Sequence, residues 1–562
     1  MRNPRRWSGW AGCALALAAA LAVGACSDER QAGGKKPVDT GGTAVLGELV
    51  EPSKPMPLVW ESDLDADLVD IMYMGLTRPA WRDGHLVFQT SEASPMAMAW
   101  HYEYLAPDST AIRYHMRSGL RWSDGKPITA RDVAWTYRTL KDPRVASPRQ
   151  SDAAQIDSVV AENDSTVTFH FKRRYPDMVF NSSIHVAPEH VYAGGDPGQI
   201  RTHPTLVHPE GGRLVVSGPF LVESWQHGQQ MTLAPNPNFS VRPRLARIVI
   251  RAEKDRTTAL TEMKLGHLDF LRPLGFDQLQ ELHEQAPNVR VARQEKRYYE
   301  YLAWNPLTVP AFRDRDVRRA LGQAIDVPYL IEGLKMQDYA VPASGPYPPI
   351  FKAVYDSAAM RPLRFDPEAA KRTLEAKGWR DTDGDGVRDR DGKPFRFTLL
   401  TNSGNQRRAD AVIIVQQQLK AVGVDMQIQQ MEYATASSRF YKHEYEAALG
   451  SWGVALSPDF SAMWSPRQTF NITSYDNPEV NRLMKEAASQ PTEALASPLW
   501  RQAAQKIVDD QPYTWLYYYD QLFAVSDRLQ GMRIDVYGPY QNAWEWWIPA
   551  DRQGTPGTGK PQ

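Results

Sequence analysis

The stretch FRFTLLTNSGNQRRADAVIIVQQQLKAVGVDMQIQQ (395–430) decides the fold class. FRFTLL (395–400) has the β-branched and aromatic make-up of a strand. Residues 408–421 place Val412, Val415 and Leu419 on one face at helical spacing, and Gly423 stops that helix. VDMQIQQ then alternates Val424, Met426 and Ile428, which is the period of a strand. Strand, helix and strand joined by short links make a βαβ unit, and such a crossover feeds a parallel sheet. The expected class is α/β with mixed sheets.

Upstream, FDPEAAKRTLEAKGW reads as a helix with Asp366 as N-cap, Pro367 in its first turn and Gly378 as its stop. Between that helix and the βαβ unit lies DTDGDGVRDRDG (381–392). Asp381, Asp383, Asp385 and Asp389 fall at positions 1, 3, 5 and 9 of a calcium loop, and Gly386 at position 6. Position 12 is Gly392 where a bidentate Glu is required, and a strand follows where a second helix should. The alternative is a solvated turn whose Asp side chains bond their own backbone. No cofactor is expected to be required. A structural calcium at these four aspartates would brace the helix-to-strand link.

Further upstream, 112–122 reads as one strand, Asp124-Gly125 as a turn, and Thr129 with Asp132 as a capping box. That cap opens a helix bearing Val133, Tyr137 and Leu140. STVTFHFK (165–172) alternates as a half-buried strand. Further strands are expected in 213–253, and a helix across 254–266.

The N-terminus opens with Arg2, Arg5 and Arg6, then an apolar run from Gly12 to Val23 too short to span a bilayer. Residues 1–25 read as an export signal. Val23-Gly24-Ala25-Cys26 resembles the lipobox of bacterial lipoproteins, which implies cleavage before Cys26 and lipid on it. Residues 26–43 are polar and aperiodic, as a flexible tether is. Loss of Cys13 with the signal would leave one cysteine, so no disulfide within the chain and no thiolate metal site is expected. The net charge of −1 and the absence of a basic block argue against nucleic acid as a partner.

Several stretches together resemble the family 5 extracellular solute-binding proteins of ABC transporters. These are RSGLRWSDGKPITARDVAWTYRTLKDP (117–143), SGPFLVESWQHGQQMTLAPNPNF (217–239), YLAWNP (301–306) with FRDRDVRRALGQAID (312–326), the 365–430 region, and TSYDNPEVNRLM (473–484). In the last, Asn481 stands where Asp is usual. The resemblance implies a bilobal, type II cluster C periplasmic-binding-protein-like fold with an extra inserted subdomain. It places lobe I at 44–80, 205–296 and 520–562, the inserted subdomain at 81–204 and lobe II at 297–519. It implies a lipid-anchored monomer on the periplasmic side of the cell envelope. Such a protein captures an oligopeptide or similar small solute and delivers it to an ABC permease in the inner membrane. A metal chelate or haem, or a sensing role on the same fold, is the alternative.

In peptide-binding relatives a Trp is followed three residues later by an Asp that pairs with the ligand's α-amino group. Trp452 matches the Trp, but the third position on is Ala455, and Asp459 is the nearest carboxylate. Asp459 also suits a turn or an N-cap after Pro458. Trp452 and Asp459 are the first candidates for solute contact. Tyr299 and Tyr518, in tyrosine runs expected to cross between lobes, are the next, with core packing as their other reading. Arg467 is a candidate fork for a ligand carboxylate. His185, His190, His203 and His208 match no zinc spacing and read as structural or exposed. Neither a G-x-S-x-G elbow nor an H-E-x-x-H pair occurs, which removes two hydrolase classes but leaves a carboxylate pair open. The chain is read as a binding protein, not an enzyme.

Overall fold

The computed structural model describes residues 40–105, 110–207 and 214–554. The export-signal reading, Cys26, His208 and most of the tether lie outside the described residues.

The βαβ unit forms as its periodicity requires. Strand Arg396–Asn402 pairs in parallel with Asp425–Met431, and helix Gln406–Lys420 connects them. Ala411, Val412, Val415 and Leu419 are its buried face, and the Asn405 side chain accepts from Arg408 N at 3.2 Å to cap it. Gly423 turns the chain at φ +81, where a side chain would be strained and would strike Arg388.

These strands belong to an eleven-stranded mixed sheet. From one edge the order is Asp425–Met431, Arg396–Asn402, Ala447–Gly453, Val289–Trp304, Tyr513–Ser526, Phe270–Arg272, Thr43–Glu48, Arg247–Ala252, Gln230–Pro235 and Phe220–Gln226. Ala340–Pro342 adds to Tyr513–Ser526. Two long antiparallel strands, Val289–Trp304 and Tyr513–Ser526, sit in its middle and cross between the lobes. Their ladder breaks between Gln294 and Tyr298. On one side of the break they join the Phe270–Arg272 strand of lobe I, on the other the Ala447–Gly453 strand of lobe II. The fold is therefore bilobal, with the sheet continuous through both crossings.

The inserted subdomain is a four-stranded antiparallel sheet in the order Ala99–Tyr104, Ala111–Met116, Thr166–Phe171, Ile156–Asn163. Helix Ala130–Lys141 covers it, opened by the Thr129–Asp132 capping box and burying Val133, Tyr137 and Leu140. The strand expected across 112–122 ends at Met116 instead, because Gly119 turns the chain at φ +77. Tyr114, Val133 and Phe169 of the insertion share one apolar cluster with Leu46, Ile248 and Trp546 of lobe I. Such a shared core makes the insertion a rigid part of that lobe. Lobe II has separate clusters, one holding Leu302, Val412 and Leu516, the other Tyr299, Trp464 and Tyr518.

Gly218, in the SGPF turn, lies against the end of helix Asp63–Met72 and donates to Met72 O at 2.7 Å. A Cβ there would sit 2.6 Å from Ile71 O and 2.7 Å from the Met72 carbonyl carbon. Backbone cannot swing aside as a side chain can. Gly218→Ala is expected to lower stability by about 1–3 kcal/mol. A urea midpoint equal to that of the parent would show that the helix end yields freely.

Candidate solute cleft

The strand Ala447–Gly453 delivers its successor loop to the gap between lobe II and the inserted subdomain. There a cavity of 460 Å³ is walled by both bodies. The insertion contributes Trp81, Phe88, Tyr175, Asp177 and Phe180, and lobe II contributes Phe351, Ala455, Ser457, Asp459, Glu493 and Trp500. Aromatic faces with a few converging polar groups are the usual make-up of a small-molecule site, and the volume falls within the range of such sites.

Asp177 is the central polar group. Its Oδ2 accepts from Ser457 Oγ at 2.6 Å, so a subdomain carboxylate is bonded to a lobe II hydroxyl. Burial pushes its pKa up to about 6; the Ser457 hydrogen bond opposes this, and Asp459, Glu493 and Asp152 add to it by repulsion. Asp459 is exposed, lines the same cavity and accepts from Ser461 N at 2.8 Å, so it also serves the turn after Pro458. Ala455 is exposed and lines the cavity too.

The other candidates lie elsewhere. Trp452 is half-buried, stacks on Tyr301 at 6.1 Å and donates its indole N–H to Tyr513 OH at 3.3 Å. It does not line this cavity. Tyr299 and Tyr518 are wholly buried in the lobe II core, so here neither side chain is open to a solute. Tyr518 OH donates to Gly345 O at 2.8 Å and takes the Gly345 N–H at 3.0 Å, a structural tie. The period of two that placed one tyrosine toward the cleft instead sends Tyr518 into one core cluster of lobe II and Tyr517 and Tyr519 into another, against Arg407. Arg467 is exposed at φ +62 and does not line the cavity.

The histidines are separately paired: His185 with Asp70 at 3.1 Å, His190 with Asp124 at 2.8 Å and His203 with Thr205 at 2.9 Å. The aromatic tail at 542–547 packs into lobe I, where Trp546 is fully buried and donates to Asn542 Oδ1 at 3.0 Å.

At the acidic loop, carboxylate oxygens of Asp381, Asp383 and Asp385 come within 4.8 Å of one another. Asp389 is not with them; it accepts from Thr382 N at 2.9 Å and from Thr382 Oγ1 at 2.7 Å. Asp381 accepts from Gly384 N and Gly386 N, and Asp385 from Val387 N, which is the Asx-turn pattern. The helix-to-strand link is braced by buried Arg388, which donates to Trp379 O at 2.9 Å and Val422 O at 2.8 Å.

Two buried ionic networks flank the lobe crossing, and no motif along the chain announces either. In lobe I, Arg272 Nε donates to both oxygens of Glu48 at 2.8 and 2.9 Å, and its Nη1 donates to Asp67. In lobe II, Glu300 is fully buried, 2.6 Å from Arg408 Nε and 2.7 Å from Arg407 Nη2. Asp177 and Ser457 were missed for a similar reason: they are 280 residues apart, and neither stands in a recognisable spacing.

The profile of bacterial extracellular solute-binding proteins, family 5 Middle, matches residues 95–474. The chain is 28% identical over 517 residues to the oligopeptide-binding protein AppA of Bacillus subtilis, covering 90% of this chain and 92% of that one. The structure of that AppA in complex with a nonapeptide aligns with a TM-score of 0.76 at 27% identity, covering 91% of this chain and 99% of its own. NikZ of Campylobacter jejuni, in complex with Ni(L-His), shares the fold with a TM-score of 0.77 at 21% identity, covering 91% and 100%. A match through the bulk of the chain, on a bilobal type II fold with its inserted subdomain, establishes that this protein belongs to family 5 of the bacterial extracellular solute-binding proteins.

Proposed function

We propose that this solute-binding protein is the lipid-anchored receptor of an ABC importer, and that it captures a peptide-like solute between its lobes for delivery to the permease. The carrying observation is the 460 Å³ cavity, one wall of which is lobe II and the other the insertion, which shares its core with lobe I across the crossing strands. A site divided in this way binds by closure, because the bound solute contacts both walls only when they approach. Exposed Ala455 and Asp459 place small and acidic groups on the lobe II wall, and Trp81, Tyr175 and Phe351 supply faces for side chains. The relatives named oligopeptide-binding favour a peptide among solutes. Anchoring rests on the Val23-Gly24-Ala25-Cys26 sequence; among the described residues no helix is long and apolar enough to cross a membrane. The role is capture without turnover.

The test is native mass spectrometry of protein exported from cells and purified without chelator. Discrete adducts in the mass range of short peptides, released on partial unfolding, are expected. A bare protein mass, or a single metal-chelate or haem adduct, would overturn the peptide reading. An acyl-bearing N-terminal cysteine in the same sample is expected from the anchor, and an intact residue 1 would refute it.

A further inference from the structure

The inserted subdomain does more than wall the cavity. It touches lobe II at several separate points around the rim. Ser457 Oγ bonds Asp177 Oδ2 at 2.6 Å. Arg173 Nη1 donates to Ala488 O. His85 Nδ1 lies 3.6 Å from Glu493 Oε1. Trp81 meets Phe351 edge to face at 5.5 Å. Because the insertion shares its core with lobe I, these contacts form or break together as the lobes close or part.

We propose that the inserted subdomain latches the closed cleft directly onto lobe II through Asp177 and Ser457, and that acid strengthens this latch. The proposal rests on the solute-binding reading above, in which the lobes move. Closure takes the Asp177 carboxylate partly out of water, leaving it half-buried among Asp152 of its own subdomain and Asp459 and Glu493 of lobe II. The other ionisable groups lining this cavity are Tyr175, Arg173, which is engaged with Ala488 O and lies over the Tyr175 ring, and His85, which pairs with Glu493; Asp152 itself pairs with Arg149 at 2.7 Å. No ion-pair partner for Asp177 or Asp459 occurs among the described residues. The closed state therefore penalises the ionised carboxylate, while a serine hydroxyl can donate to the anion or accept from the acid and so holds either form.

The sign follows from linkage. Asp177 has a pKa near 6 when closed, and an ordinary carboxylate in water has one of about 4. Protons therefore bind the closed form more tightly, and closure is favoured as pH falls through 6. Between pH 7.5 and 5 the closed-to-open ratio should rise about tenfold.

The test is a distance measurement by double electron–electron resonance, with no solute added. The full chain carries spin labels at S158C, on the exposed edge of the insertion, and K485C on lobe II, with C13S and C26S removing the native thiols. Two separations are expected, the shorter gaining about tenfold over the longer from pH 7.5 to 5. D177N, neutral but still able to bond Ser457, should favour the shorter separation at both pH values. S457A should shift the population toward the longer one. Two separations whose ratio ignores pH, or a pH response that survives in D177N, would overturn the latch and leave the solute-binding reading intact. A single separation under every condition would overturn the latch, while the solute-binding reading stands or falls by the mass spectra above.

Discussion

Arg272→Met is expected to destabilise the protein by about 3–5 kcal/mol at pH 8, because it strips the countercharge from two buried carboxylates at once. Glu48 is 2% exposed and Asp67 7% exposed, so neither can be rescued by water. Burial already pushes Asp67 up to about 7, with Arg272 holding it down and Asp70 and Glu48 pushing it further up. Glu48 is likewise raised by burial, against the pull of Arg272 and the Tyr540 hydroxyl. Without the guanidinium both carboxylates rise further, so the folded state takes up protons that the unfolded chain releases. Stability then falls as pH rises from the ordinary carboxylate range through 7, and acid restores it. Urea midpoints at pH 8, 6 and 5 check this. The deficit should be largest at pH 8 and smallest at pH 5. A deficit equal at all three would assign the loss to packing, since Arg272 also lies over the Tyr540 ring at 5.1 Å.

Glu300→Ala is expected to cost a similar amount, about 3–5 kcal/mol, but with a flat pH profile. Glu300 stands on a crossing strand, and Arg407 and Arg408 begin the helix of the βαβ unit. Their side chains are 15% and 11% exposed. Burial opposes the charge on Arg407, but Glu300 outweighs it and keeps the guanidinium firmly protonated. Removing Glu300 leaves two adjacent buried cations, and an arginine does not shed its proton to escape. Arg407 lies 4.1 Å over the Tyr519 ring, which softens its isolation without cancelling it. The double variant E300A/R407M should recover part of the loss. Urea midpoints at pH 5 and 8 are the measurement. A loss under 1 kcal/mol would show that water enters the network and that it is not a dry tie within lobe II.

The local elements were legible for local reasons. Val412, Val415 and Leu419 repeat at helical spacing, and all three are buried on the helix face. The Thr129–Asp132 box needed only four residues to be read, and it caps the helix that it announced. Where a local signal was overruled, another local feature did it: Gly119 ended at Met116 a strand that composition alone would have run to Trp122.

The site was legible only in part. The stretch around Trp452 leads into the loop on the cavity wall, where Ala455 and Asp459 line it and Trp452 does not. Alternation along the strands of Tyr299 and Tyr518 gives two faces without saying what packs on either, and here both faces are core. That is set by the layers packed on each side, here Trp464 and Trp500 for one face and Val412 with Arg407 for the other.

The sequence by itself determined the α/β class, the βαβ unit, the capped helices and the family resemblance, since each rests on residues close together along the chain. Only the tertiary structure decided which residues share the cavity and carry the buried charges. Asp177 meets Ser457 across 280 residues, Arg408 meets Glu300 across 108, and Arg272 meets Glu48 across 224. Contacts of that separation follow from how the lobes and the insertion pack, and no short-range pattern in the chain encodes them.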